Sequence, residues 1–356
     1  GIESDPYVIE GWDINASWAH GIEIRNVDKY FIIRNCYIHD GKNNWNYGIY
    51  FYSVENGKVD NVTLYNNNRG IKFRDSTNNY IMNCTIYNNM GPGIFLEFSS
   101  NSVISNCTIC NNSCGIDAGD SPNTIISDCT LYNNSGEGIN MGDASGNTIS
   151  QCIVHDNYYG ICIDSSSKSK ITKCVIYNNS WRGIRLRTVS GNNDITDCDV
   201  YNSYYGIELY NSYYSPNIIV SNCTIHNNSA HGIELSSFSH TTLFNCDVYG
   251  NPYGIDVSSS THITISNCSF YDNSYGIDLS SADNNQITGS TFYNNFYGIY
   301  LYSSSNNTIT NCVVYNNSRG GISLYSSSNN TIIGNIFTND GVGIYGSNLQ
   351  HYIHNI

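Results

Sequence analysis

The chain has 356 residues, of which only 12 % are charged, and Asp+Glu 29 against Lys+Arg 15 leave a net charge of −14. An acidic balance of this size excludes nucleic acid as a partner, because neutralising phosphates needs a basic surface. No run approaches the roughly 20 apolar residues of a membrane span, while 40 % apolar residues suffice for a core.

The chain begins at Gly1 with no initiator Met, signal peptide or lipid motif, which predicts a mature protein or an excised segment. From Gly21 onward, Gly-Ile pairs recur at Gly48, Gly70, Gly93, Gly115, Gly138 and so on to Gly321, mostly in steps of 22 or 23 residues, with a degenerate pair at Gly343. The distance from this Gly to the next Cys is usually 14, as from Gly115 to Cys129 and from Gly254 to Cys268. A fixed period over a whole chain marks a solenoid. Each period holds three short alternations and no helical periodicity. In one of them Ile104 points inward, Asn106 makes a corner, Cys107 and Ile109 point inward, Asn111-Asn112 make the next corner, and Gly115-Ile116 begin the third strand. Asn and Gly tolerate the left-handed backbone that sharp corners require. The expected fold is all-β: a single-stranded parallel β-helix solenoid of about 15 coils, three strands per coil, forming one domain over residues 1–356. Both ends read as open coils, so flanking domains or end-to-end stacking of copies are expected.

The GIxL…NNTIxxNxxxNN pattern and the opening SDPYVIEGWDINAS resemble the parallel β-helix repeat of the NosD-like and carbohydrate-binding/sugar-hydrolase group of secreted proteins, common on archaeal surfaces. The resemblance implies a right-handed helix and an extracellular, cell-surface location. It leaves function open, because the group includes enzymes, binding modules, structural proteins and metal-binding accessory proteins.

Stacked coils turn positions into columns. Cys36, Cys84, Cys107, Cys129, Cys152, Cys174, Cys198, Cys223, Cys246, Cys268 and Cys312 share one inward column with Val62, Ser290 and Ile336, and read as free thiols filling the core. Cys110, Cys114 and Cys162 lie off it. The first two flank one corner and face outward, where a local disulfide suits an oxidising exterior. The corner residues Asn88, Asn111, Asn133, Asn178, Asn227, Asn294 and Asn316 are expected to stack as an amide ladder. N-x-S/T sequons, such as those at Asn106 and Asn222, then arise as by-products of the repeat.

The outward columns carry the functional candidates. Tyr249, Tyr271, Tyr293 and Tyr315 follow the Cys column, and Tyr253, Tyr275 and Tyr297 precede the Gly. Both sets could offer ring faces to sugars or to another protein surface, with β-propensity and stacking between coils as the plainer reading. Glu208, Glu234, Asp256 and Asp278 fall one above another, and such crowded carboxylates repel unless calcium bridges them or their pKa values rise, with solvated, screened repulsion as the plainer reading. Asp164, Arg182, Arg185, Arg187 and Glu208 make a candidate catalytic cluster, with inter-coil salt bridges as the plainer reading. His240 and His262 share one turn position and form a candidate copper or zinc pair. Long loops, from which β-helix enzymes build clefts, are nearly absent; a few extra residues occur only near Trp45 and near Tyr213, Tyr214 and Pro216. The pattern therefore predicts an extracellular structural or adhesive module. Its expected partners are a polysaccharide or glycoprotein surface, or further copies of itself. A polysaccharide lyase, epimerase or hydrolase is the alternative, and a NosD-like metal-binding accessory protein a further one.

Overall fold

The protein is described here by a computed structural model covering residues 1–42, 45–210, 217–345 and 351–355, with Tyr352 known by its backbone alone. Tyr213, Tyr214 and Pro216 lie outside the described residues. The fold is all-β, a parallel β-solenoid of about fifteen turns, and its described elements are strands. The chain divides into two compact units, Gly1–Ser180 and Trp181–Ile356.

Within each unit, every coil gives one strand to each of three parallel sheets. In the first unit Ile81, Ile104 and Ile126 follow one another in register on the first sheet. Ile86, Ile109 and Leu131 do so on the second, and Ile94, Ile116 and Ile139 on the third. In the second unit the corresponding rows include Ile265–Ile287–Ile309, Val248–Phe270–Phe292 and Ile255–Ile277–Ile299. These side chains are 0–1 % exposed. Burying each Ile or Leu stabilises by about 1.5–3 kcal/mol, so the period-2 alternation fixes the register of every strand.

The Gly-Ile pair has a steric cause. A Cβ on Gly276 would stand 2.4 Å from the Gly298 carbonyl oxygen and 3.1 Å from Phe292 Cδ1. The backbone bends so that Gly and the following Ile both face the interior. The residue before the pair and the residue after it therefore share the outer face.

The amide ladder is real but sits one residue later than expected. Asn88, Asn111, Asn133, Asn178, Asn227, Asn294 and Asn316 are exposed and hold φ of 53–56°. They supply the left-handed corner. The next residue turns inward, and the buried ladder runs through Asn67, Asn89, Asn112, Asn134, Asn157 and Asn179 in the first unit. In the second unit it runs through Asn228, Asn251, Asn273, Asn295 and Asn317. Asn251 donates its backbone N–H (3.0 Å) and Nδ2 (3.2 Å) to Asn273 Oδ1, while Asn273 Nδ2 donates to the Val248 carbonyl at 3.0 Å. Each side chain thus satisfies corner groups that water does not reach.

All fourteen cysteines are free and buried. Column thiols donate to the carbonyl two residues earlier, as Cys84 Sγ to Met82 O (3.1 Å) and Cys129 Sγ to Ser127 O (3.1 Å). The expected outward Cys110–Cys114 bridge is absent, and both residues are only 7 % exposed. Cys110 stands in register between Tyr87 and Tyr132 on the second sheet. Cys114 donates to the Ile116 carbonyl (3.4 Å) at the start of the third, so the corner turns the two thiols to different sheets.

Candidate functional site

The outer face of the third sheet in the second unit carries most of the candidate residues. It is built from strands Arg182–Arg187, Tyr205–Tyr210, His231–Ser236, Tyr253–Ser258, Tyr275–Ser280 and Tyr297–Tyr302. Their register sets three outward rows side by side. The first runs Tyr205, His231, Tyr253, Tyr275, Tyr297. The second runs Glu208, Glu234, Asp256, Asp278, Tyr300, and the third Tyr210, Ser236, Ser258, Ser280, Tyr302.

The third row defines a trough. Three small serines lie between two large rings, Tyr210 (44 % exposed) and Tyr302 (52 % exposed). Four strand steps of about 4.8 Å separate those rings, roughly 19 Å along the sheet. Among the described residues neither Tyr210 nor Tyr302 stacks on another ring, and both are exposed. The serine hydroxyls form the floor and the carboxylate row forms one side.

The carboxylates are less exposed than an outward position suggests, with Glu208 at 4 % and Asp278 at 9 %. The Gly-Ile bend is the reason, because it brings the preceding tyrosine row over the same face. Burial, reinforced by Glu208 and Asp256, pushes Glu234 up to about 7. Burial raises Asp256 to about 6. Burial and the Asp256 charge raise Asp278 to about 7, against a hydrogen bond from Ser280 Oγ (3.3 Å) to its Oδ1. Burial lowers His231 to about 4, with its Nδ1 3.6 Å from Asp256 Oδ2. Glu234, Asp256 and Asp278 therefore take up protons as pH falls through about 7 to 6, beside an uncharged imidazole.

The sequence-predicted tyrosines do not present the faces expected of them. Tyr249, Tyr271, Tyr293 and Tyr315 stack at 4.6, 4.9 and 5.1 Å with planes within 11°. Tyr253, Tyr275 and Tyr297 stack at 4.9 and 5.3 Å. Rings at strand spacing cover one another, which leaves edges and hydroxyls outward. Tyr297 is only 8 % exposed.

The candidate catalytic residues divide between the units. Asp164 ends strand Tyr159–Asp164 of the first unit. In the second, Arg182 pairs with Glu208, and the Arg182 guanidinium lies 5.5 Å from the Trp181 ring and 5.6 Å from the Tyr205 ring. Arg185 is in register with Glu208 and Arg187 with Tyr210. Glu208 is thus held by an arginine, leaving Glu234, Asp256 and Asp278 for any calcium ion. Among the described residues no group of three or more His, Cys, Asp or Glu side chains is arranged to hold a metal. His240 and His262 are exposed, take φ of 54° and 59°, and stack at 4.9 Å and 13°. They occupy a left-handed corner that Asn fills in other coils.

Sequence reasoning missed Tyr210, Ser236, Ser258, Ser280 and Tyr302. The available signal was the departure of one outward column, which reads Tyr-Ser-Ser-Ser-Tyr over five coils.

A family model described as "Right handed beta helix region" matches residues 2–121, 93–238 and 213–355. No curated protein matches the chain. Among solved structures, the A-module of the Azotobacter vinelandii mannuronan C-5 epimerase AlgE4 is similar at 14 % identity and a TM-score of 0.55, over 92 % of this chain and 91 % of that one. A mutant of the periplasmic alginate epimerase AlgG is similar at 12 % identity and a TM-score of 0.51, over 95 % and 85 %. The Dettilon tailspike protein is similar at 12 % identity and a TM-score of 0.50, over 96 % of this chain and 62 % of that one. At these identities the likeness is one of fold.

Proposed function

The chain belongs to the right-handed β-helix family, and from that premise we propose that it is an extracellular, cell-surface glycan-binding solenoid whose binding surface is the Tyr210–Tyr302 trough. The observation that carries this reading is the bracketed serine floor: two exposed rings that stack on no other ring among the described residues, three hydroxyls and a row of carboxylates on one face. Sugars combine an apolar ring face with a hydroxyl edge, and this surface offers a complement to each. The acidic row and the net charge of −14 favour neutral or amino-sugar glycans over polyuronates. A glycoprotein presents the same chemistry, so the glycan of a glycoprotein surface is an equivalent partner. On this reading partial protonation of Glu234, Asp256 and Asp278, together with the Arg182 pair of Glu208, relieves the repulsion within the row without calcium, and added calcium leaves binding unchanged. Electrophoresis through gels containing neutral polysaccharides tests the proposal. The wild type is retarded by at least one of them, and Tyr210→Ala and Tyr302→Ala restore free migration. Unretarded wild-type protein, or retardation that survives both substitutions, would overturn it.

A catalytic reading is favoured by one specific observation. Glu234, Asp256 and Asp278 carry raised pKa values next to tyrosine hydroxyls and the neutral His231, the pattern expected of acid–base pairs. Turnover of a polysaccharide that disappears in Glu234→Gln and Asp256→Asn would establish it. The Arg185→Ala and Arg187→Ala variants test the catalytic cluster in the same assay. A NosD-like accessory role rests on His240 and His262 alone, and copper or zinc binding lost in His240→Asn would support it. Association with further copies is a separate expectation, checked by sedimentation across protein concentration.

A further inference from the structure

The first unit contains a cleft of about 410 Å³ on the outer face of its first sheet. Its floor is made by strands Phe31–Arg34, Gly57–Asp60 and Tyr80–Met82, where Ile32, Lys58 and Tyr80 follow one another in register. Glu3 and Pro6 line it from the segment before the first coil, and Tyr30 and Asn78 from the corners. The volume falls in the range of small-molecule sites.

Two features separate this cleft from the rest of the surface. Among the described residues, Tyr30 and Tyr80 stack on no other ring, unlike the column tyrosines, and Tyr80 is 44 % exposed. The polar groups are also mixed in sign. Lys58 Nζ is held 2.8 Å from Asp60 Oδ2, and Glu3 is exposed at the rim, so the cleft has no strong charge to attract an ion.

We propose that this cleft is a second saccharide site, separate from the trough, that binds one or two neutral pyranose rings. Tyr80 offers its face to the apolar side of a pyranose. The Lys58 ammonium and the Asn78 amide donate to sugar oxygens, and the Glu3 carboxylate accepts from hydroxyls. With Asp60 and Glu3 against Lys58 the cleft carries a small negative excess, which selects against acidic sugars.

Saturation-transfer NMR and calorimetry with maltose, cellobiose and mannobiose test the site, with digalacturonate as the acidic probe. The wild type binds at least one neutral disaccharide with millimolar affinity and binds digalacturonate more weakly. Tyr80→Ala weakens that binding about tenfold, the value of one lost aromatic stack. Lys58→Ala weakens it too, and both losses are measured again in a Tyr302→Ala background, where the trough no longer contributes to the signal. Tyr80 and Lys58 face outward, and unchanged circular dichroism of both variants checks their fold. The proposal fails if no neutral disaccharide binds at tens of millimolar, if Tyr80→Ala binds as well as wild type, or if digalacturonate binds best. Loss in Tyr302→Ala but not in Tyr80→Ala would assign the binding to the trough alone.

Discussion

At the scale of the residue, three carboxylates and one amide ladder make separable predictions. Glu234, Asp256 and Asp278 bind protons more tightly folded than unfolded, so their contribution is complete below about pH 4 and fades as pH rises through about 6 to 7. His231 has the opposite sign, because its lowered pKa makes protonation oppose folding as pH falls from 6.5 to about 4. The carboxylates outnumber it. Stability of the wild type should therefore decline between pH 5 and pH 8, by about 1 kcal/mol per carboxylate. Asp278→Asn should flatten that decline and raise the melting temperature at pH 8, which thermal scans at several pH values measure. For the ladder, Asn295→Ala strips partners from the Asn273 backbone N–H (3.0 Å), its Nδ2 (3.1 Å) and the Phe270 carbonyl (3.0 Å). Leaving buried polar groups unpaired costs about 1–3 kcal/mol each. Asn294→Gly, one residue earlier, keeps a backbone suited to φ of 55° and should change stability by only a few tenths of a kcal/mol. Denaturant titration of the two variants checks the contrast. The sequence could not separate these neighbours, because both positions read Asn: one is chosen for its backbone and the other for its amide.

At the scale of the element, the corner before each third-sheet strand sets what the outer face displays. The Gly-Ile bend keeps two successive residues inside, and this places the Tyr row and the carboxylate row on one surface. Gly276→Ala would put a methyl 2.4 Å from the Gly298 carbonyl oxygen, and the coil must shift to admit it. We expect a loss of about 3 kcal/mol or more, beyond ordinary overpacking, measured by denaturant unfolding. The inward columns were legible from the sequence because the same residue types recur at a fixed interval. The trough was not, because serine also recurs at many other positions of the repeat. Only the pairing of Tyr210 with Ser236, and of Ser280 with Tyr302, shows that three serines leave a gap between rings. The expectation of tyrosine faces failed for a related reason: the in-register spacing that makes a column also closes its rings against one another.

At the scale of the whole molecule, the proposed glycan-binding role has the β-helix read polymers along its sheets, with the acidic charge selecting among them. The fourteen buried thiols are compatible with the proposed extracellular location, because burial limits their reactivity in any compartment. Native protein should react negligibly with a thiol reagent such as DTNB, and all fourteen thiols should react after unfolding. Rapid labelling of the folded protein would contradict the packing described. The central claim is that a missing aromatic row makes the glycan surface, and Ser258→Tyr tests it by restoring a ring to the middle of the trough. Calorimetric titration with the neutral polysaccharide that retards the wild type should show at least a tenfold loss of affinity in Ser258→Tyr, with its melting temperature unchanged. Equal affinity in the two proteins would contradict the account.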